Sequence, residues 1–175
     1  MKRRLISGLI TAIAMASSAC AQTVDEYQVK AAFLFNFAKF VEWPPHSFAS
    51  PSDPIAICIL GPNPFGHVLE DVVRGKTVDG HDFVVRQITK MNQANGCQIL
   101  FIAGARKQLA EQPPPGMLIV GESEKFAQSG GIIGFRLESG KVRLEINIDA
   151  AEQRKLRISS KLLSLAEIVH TAGGK

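Results

Sequence analysis

The sequence predicts an α/β fold: a single compact domain with a mixed, mostly parallel sheet flanked by helices and a C-terminal antiparallel hairpin. Two observations lead to this fold class. Short apolar runs alternate with helix-like segments, an order that is typical of parallel strands joined by helices. Near the C-terminus, two strand-like segments follow each other directly across a turn, which is typical of an antiparallel hairpin.

Four strands are predicted in the first two thirds of the chain. Ile55–Leu60, Gln98–Ala103 and Met117–Gly121 are nearly continuous apolar runs, which favours central strands covered on both faces. Phe83–Ile88 is a further strand. A helix is expected after each central strand, so that strand and helix alternate as in a parallel sheet.

The first of these helices is expected to be capped by Asn63, to begin at Pro64 and to run to about Val73. Asparagine is a good capping residue, and proline suits the first helical position because no helical donor is lost there. The other two helices are expected at Arg106–Glu111 and Ser123–Gln128.

The predicted hairpin joins Ile132–Leu137 to Lys141–Ile148 through the turn Glu138-Ser139-Gly140. The second strand alternates apolar residues with Arg143, Glu145 and Asn147, which indicates one wet face and a place near the edge of the sheet. Two short helices are expected next, at Asp149–Lys155 and from Ser160 to about His170. The apolar stripe of the last helix comprises Leu162, Leu163, Leu165, Ala166 and Val169.

Residues 24–42 are predicted to form an amphipathic helix. Its apolar arc comprises Val29, Phe33, Leu34, Phe37, Phe40 and Val41, and its polar arc comprises Asp25, Gln28, Asn36, Lys39 and Glu42. The helix is expected to end at Glu42, because Trp43 precedes Pro44 and is therefore biased towards extended backbone.

Three side chains of this segment need a separate explanation. Phe35 projects onto the polar arc, where it is either a binding residue or is covered by a segment packed over it. Lys30 projects onto the apolar arc and has to reach solvent or find an acid. Trp43 is either a hydrophobic plug or an interface anchor, since tryptophan is enriched at binding hot spots.

Residues 1–21 have the pattern of a signal peptide. A basic segment, residues 2–4, precedes an apolar segment, residues 5–16, that is too short to cross a membrane as a helix. Small residues at 19–21 then provide a cleavage site, so we expect export and a domain at 22–175. The alternative is a lipidated Cys20, although the bulky apolar residue that usually precedes such a site is absent.

Removal of this leader changes the charge and cysteine arguments. Of the 20 basic residues 17 remain, against 16 acids, and a net charge of +1 gives no indication of nucleic-acid binding. Two cysteines remain, Cys58 and Cys97. An oxidising compartment favours their pairing, whereas the alternative is two buried free thiols on neighbouring strands.

The sequence gives little support for a catalytic or cofactor-binding site. The four histidines are scattered, and Ser159-Ser160-Lys161 is read as a helix cap rather than a serine–lysine nucleophile, so we expect no metal, no cofactor and no enzyme. The loop containing Gly61, Asn63 and Gly66 follows a buried strand, where small anionic ligands bind in α/β sheets. It has no nucleotide-binding motif, and a plain strand-to-helix turn is the alternative.

Three stretches resemble the YfiR-like family of periplasmic proteins. They are VKAAFLFNFAKFVEWP at 29–44, GGIIGF at 130–135 running into VRLEIN at 142–147, and LRISSKLL at 156–163. The resemblance implies a compact α/β regulator that tends to dimerise and has no catalysis of its own. It also implies a Cys58–Cys97 disulfide, and this chain has no further cysteine for a second bridge.

The partner that the resemblance implies is an inner-membrane diguanylate cyclase, restrained through its periplasmic sensor region, with an outer-membrane lipoprotein that sequesters the regulator. Lower cyclic di-GMP and less biofilm would be the outputs. The alternative is a small-ligand sensor acting on another membrane receptor, such as a sensor kinase. The candidate partner-binding residues are Phe35, Asn36, Lys39, Glu42 and Trp43.

Overall fold

The computed structural model describes residues 17–45, 47–104 and 113–171, with side chains from residue 26 onwards. Most of the predicted signal peptide and the helix expected at Arg106–Glu111 lie outside the described residues, so both stay predictions. The first helix begins at Ser17 and therefore includes the predicted cleavage point after residue 21.

The described elements alternate as the sequence predicts. The helices are α1 Ser17–Phe40, α2 Val68–Val73, α3 Ile148–Gln153 and α4 Ser160–Leu163. The strands are β1 Val41–Glu42, β2 Ile55–Leu60, β3 Phe83–Ile88, β4 Ile99–Ile102, β5 Leu118–Gly121, β6 Ile133–Glu138, β7 Lys141–Asn147, β8 Arg157–Ile158 and β9 Ala166–Val169. The six strands from β2 to β7 begin and end within one residue of their predicted bounds.

Seven strands form one mixed sheet in the order β3-β2-β4-β5-β6-β7-β9, and β1 and β8 form a separate antiparallel pair. All neighbouring strands from β3 to β6 are parallel. The β6–β7 pair is antiparallel, joined by a two-residue turn in which Ser139 and Gly140 both have positive φ. The predicted fold class is therefore confirmed.

Both faces of the central strands are buried, which explains their continuous apolar sequences. On β2, Ile57 and Ile59 belong to the core under α1. Cys58 and Leu60 belong to a second core on the opposite face, together with Phe126. Cys58 is joined to Cys97 by a disulfide, with the two Cα atoms 5.9 Å apart, so the predicted pairing is confirmed.

Helix α1 ends two residues earlier than expected. Its last carbonyl, that of Phe40, accepts a hydrogen bond from the backbone N–H of Ser159 at 2.8 Å. Val41 and Glu42 then pair with Ile158 and Arg157 in the small sheet. A long-range strand partner thus competes with the last helical turn, and no local pattern indicates it.

Two of the crossover helices are shorter than predicted. The segment after β2 turns before α2 begins at Val68, because Asn63 accepts from the N–H of Phe65 and donates to the carbonyl of Gly66 instead of capping a helix. Ser123–Gln128 forms turns followed by a 3₁₀ segment at Ala127–Ser129.

Around this second segment, Gly121 and Gly131 leave room for the ring of Phe126, since a Cβ at either position would collide with it. Close approach of an aromatic ring therefore explains the glycine that precedes β6.

The expected helix from Ser160 to His170 is the largest error. Only α4 is helical, capped by the Ser159 hydroxyl, which accepts from the N–H of Lys161 at 3.2 Å. The chain then extends as β9 and pairs in parallel with β7 at the edge of the sheet. In the predicted apolar stripe Leu162 and Val169 are buried, whereas Leu165 is 66% exposed. Pairing with an open sheet edge therefore prevailed over a weak helical pattern.

The prediction that one face of β7 is exposed to solvent is also wrong over the second half of the strand, because Glu145 and Asn147 are buried. Glu145 accepts from Arg136 at 2.9 Å. Asn147 accepts from the N–H of Ala150 and donates to the carbonyl of Ala127, and so caps α3. Their polar atoms have partners, which makes burial tolerable.

We expect the disulfide to stabilise the fold by about 4 kcal/mol, the chain-entropy value for a loop of this length, since Cys58 and Cys97 are 39 residues apart. The double variant Cys58→Ala/Cys97→Ala should lower the free energy of urea unfolding by that order. Dithiothreitol should destabilise the parent protein to the same extent and leave the variant unchanged. A variant as stable as the oxidised parent would contradict this account.

Candidate docking groove

A surface groove of about 510 Å³ opens where α1 ends. We call it the exit groove. Its residues come from the end of α1 and β1, the proline-rich loop that follows, one tight turn before β3, and the segment before α4. They are Lys39, Phe40, Val41, Glu42, Trp43, Pro44, Pro45, Ser47, Phe48, Ala49, Ser50, Pro51, Asp79, His81 and Ser159.

The wall of the exit groove formed by the proline-rich loop is fixed to the sheet by a buried glutamine. The amide of Gln98 donates to the carbonyl of Ser47 at 2.7 Å and accepts from the N–H of Ala56 at 2.8 Å. The hydroxyl of Ser47 donates to the carbonyl of Pro44 at 2.8 Å. These bonds hold a segment that has little secondary structure of its own.

His81 connects this loop to the tight turn. Its ring stacks on Phe48 with centroids 4.1 Å apart, and its Nδ1 lies 2.6 Å from the carbonyl oxygen of Asp53. Since a carbonyl only accepts, Nδ1 carries the proton. The turn itself is closed by a bridge between Val78 and His81 and has positive φ at Asp79. This part of the groove wall is thus held by side-chain contacts rather than by a regular element.

The exit groove has a mixed charge. Lys39 contributes an ammonium group, whereas Glu42 and Asp79 contribute carboxylates. Glu42 lies 3.7 Å from the guanidinium of Arg157, its register partner in the small sheet. An exposed ion pair of this kind contributes little to stability, but it neutralises part of the acidic rim.

Three of the five predicted partner-binding residues, Lys39, Glu42 and Trp43, line the exit groove. Trp43 is partly buried against the main core, so it plugs the domain and also lines the groove. Asn36 is half-buried one helical turn earlier. Phe48, Asp79 and His81 were not predicted; the proximity of their segments arises from tertiary contacts.

Phe35 does not lie on a wet face. Its side chain is 9% exposed, and its ring packs on that of Phe83 at 5.3 Å. Of the two alternatives given for Phe35, an exposed binding residue or a ring covered by a packed segment, the structure therefore supports the second. Val29, assigned to the apolar arc, is 38% exposed.

The side chain of Lys30 pairs with acidic side chains instead of reaching solvent. It is buried, and its Nζ forms ion pairs with Glu26 and with Glu122, the latter at 2.6 Å. The ammonium also lies 4.6 Å from the ring centroid of Tyr27. Charge pairing, together with the aromatic face, makes this burial tolerable.

Tyr27 completes the same cluster at the carboxyl end of β5. Its hydroxyl donates to Glu122 at 3.2 Å, and its ring meets Phe65 from the loop after β2. Burial, and after it the negative charges of Glu122 and Glu26, raise the pKa of Tyr27 to about 12. The cluster joins α1 to the sheet.

The loop predicted to bind a ligand is closed by hydrogen bonds between its own residues. Both ends of the Asn63 amide are used within the loop, by Phe65 and Gly66, and Gly61 has a positive φ directly after β2. The helix that follows has six residues and begins beyond the loop. A ligand at this loop stays a prediction.

Among the residues that the structure describes, no group of three or more His, Cys, Asp or Glu residues could hold a metal ion. Within the same ranges, no helix has the length and hydropathy that a membrane span needs.

Residues 27–167 match the family described as YfiR/HmsC-like. The chain belongs to the YfiR/HmsC-like family. This is a family of periplasmic regulatory proteins, and its matched range contains both the exit groove and the disulfide. A search of curated proteins finds no match.

We expect Tyr27, the only tyrosine of the chain, to ionise near pH 12 in the native protein and near 10 when unfolded. Because the folded-state pKa is the higher one, the stability that Tyr27 contributes is complete below pH 10 and is lost as the pH rises through 12. Tyrosinate absorbance after a pH jump measures the native midpoint. Glu122→Gln should lower it, and the exposed control Glu124→Gln should not; a midpoint near 10 in the native parent would contradict the assignment.

Proposed function

We propose that this protein is an exported periplasmic regulator that binds the periplasmic sensor region of an inner-membrane diguanylate cyclase and holds the enzyme inactive. It would lower cyclic di-GMP and biofilm formation without catalysis of its own. An outer-membrane lipoprotein that sequesters it would release the cyclase, and the regulator would act as a homodimer.

The observation that carries the proposal is the exit groove, in a chain that belongs to a regulatory family. The groove combines aromatic and proline side chains with a polar, charged rim, which is the composition of protein-binding sites. Its wall is fixed by buried hydrogen bonds, and a preformed site loses little conformational entropy on binding.

Inhibition follows from differential affinity. The regulator must bind the inactive state of the sensor region more tightly than the active state, because equal affinity would shift neither population. A hundredfold preference corresponds to about 2.7 kcal/mol, which a single well-buried anchor can supply.

The first test is the intracellular concentration of cyclic di-GMP in a strain that lacks the gene and in the same strain complemented with it. We expect a rise on deletion that complementation reverses. Unchanged cyclic di-GMP, under conditions where the protein is present, would sink the proposal that it represses a cyclase.

The second test uses a pair of matched variants. Ala49 is exposed and lines the exit groove, whereas Ala32 is exposed on α1 and does not line it. Ala49→Glu should weaken binding to the cyclase's periplasmic region by about tenfold or more and restore biofilm formation, because a buried unpaired carboxylate is costly at an interface. Ala32→Glu should bind like the parent. If both variants bind equally well, the docking surface lies elsewhere.

A further inference from the structure

Two lysine ammonium groups converge on the buried ring of Phe35. The Nζ of Lys39 lies 4.4 Å from the ring centroid, and the Nζ of Lys76 lies 4.5 Å from it. Lys39 is on α1, and Lys76 follows α2. We call these two residues the lysine pair; their nitrogens are within about 9 Å of each other, since both are measured from one centroid.

The lysine pair has no carboxylate at ion-pair distance among the described residues. Other basic groups nearby do: Lys30 pairs with Glu122 at 2.6 Å, and Arg74 pairs with Asp71 at 2.6 Å. A ring face offers a cation attraction but no acceptor for its N–H groups. Both ammonium groups therefore keep their capacity for charge-assisted hydrogen bonds.

The position of the lysine pair relates it to the exit groove. Lys39 is one of the groove residues. Lys76 belongs to a second, slightly smaller depression, lined also by Glu70, Asp82 and Phe83. Residues that flank an anchor seated in the groove would consequently pass over the pair.

We propose that the lysine pair binds an acidic side chain of the protein that occupies the exit groove, so that the site selects an apolar anchor flanked by a carboxylate. This rests on the proposed use of the groove as the docking site. The buried Phe35 supports the pair: its ring holds each ammonium group within 4.5 Å of the centroid and takes no direct part in docking.

Charge complementarity favours an acid on the partner. Two like charges held on one ring repel each other, and a nearby carboxylate relieves that repulsion as well as accepting hydrogen bonds. Glu42 of the groove is paired with Arg157. Among the described residues, neither Asp79 of the groove nor Glu70 and Asp82 of the depression forms an ion pair with Lys39 or Lys76, so both ammonium groups stay available to an acid of the partner.

The test uses blocked peptides with one central leucine, flanked on both sides either by glutamates or by glutamines. Neither peptide is fluorescent, so the emission of Trp43, the only tryptophan of the chain, reports occupancy of the groove. At low ionic strength we expect the glutamate peptide to bind about tenfold more tightly, and high salt to remove the difference.

Three variants locate the effect. Lys39→Gln/Lys76→Gln should abolish the preference for glutamate, and Lys39→Arg/Lys76→Arg should retain it. Lys141→Gln removes one exposed positive charge elsewhere and should leave the preference unchanged. Thermal unfolding of each variant verifies that the fold is intact.

Equal binding of the two peptides, no binding of the glutamate peptide at millimolar concentration, or an equal loss in Lys141→Gln would overturn the proposal. The titration needs no cyclase. A chain that fails to repress a cyclase in cells can therefore still show the preference for acidic peptides, and the two failures remain distinguishable.

Discussion

The packing of α1 on the sheet through a series of aromatic rings is the interaction on which the rest of the structure depends. Phe37 stacks on Phe135 at 5.9 Å, Phe135 lies 6.4 Å from Phe101, and Phe101 meets Phe65 at 4.9 Å. These contacts cross β6, β4 and the loop after β2. They fix the position of α1 on the sheet, while the pairing of β1 with β8 sets the residue at which the helix ends and the exit groove opens.

Elements with a local signal were predictable from the sequence. The continuous apolar runs predicted the central strands because both of their faces are buried, and Ser139-Gly140 predicted the hairpin because both residues adopt positive φ. The strand β9 and the early end of α1 were not predictable. Each element depends on a backbone partner that is distant along the chain, and no pattern in the residues of the element itself indicates that partner.

The residues of the exit groove also fall into those that the sequence predicts and those that only the folded chain brings together. The exit of an amphipathic helix at a tryptophan followed by prolines pointed to Trp43, Lys39 and Glu42. The stacking of His81 on Phe48 joins loops about thirty residues apart, and only the folded chain brings them together. A helical projection placed Phe35 on the polar arc and left open whether it is a binding residue or is covered, because a projection cannot include the elements that pack over the helix; Phe83 of β3 covers this ring.

The small antiparallel sheet has a consequence for the order of assembly. The carbonyl at the end of α1 and the strand β1 find their partners only at residues 157–159, almost at the other end of the matched domain. The groove therefore cannot be complete on a nascent chain, however well its first half has folded. The part of its lining that includes Ser159 is in place only when the last segment of the domain has joined the end of α1.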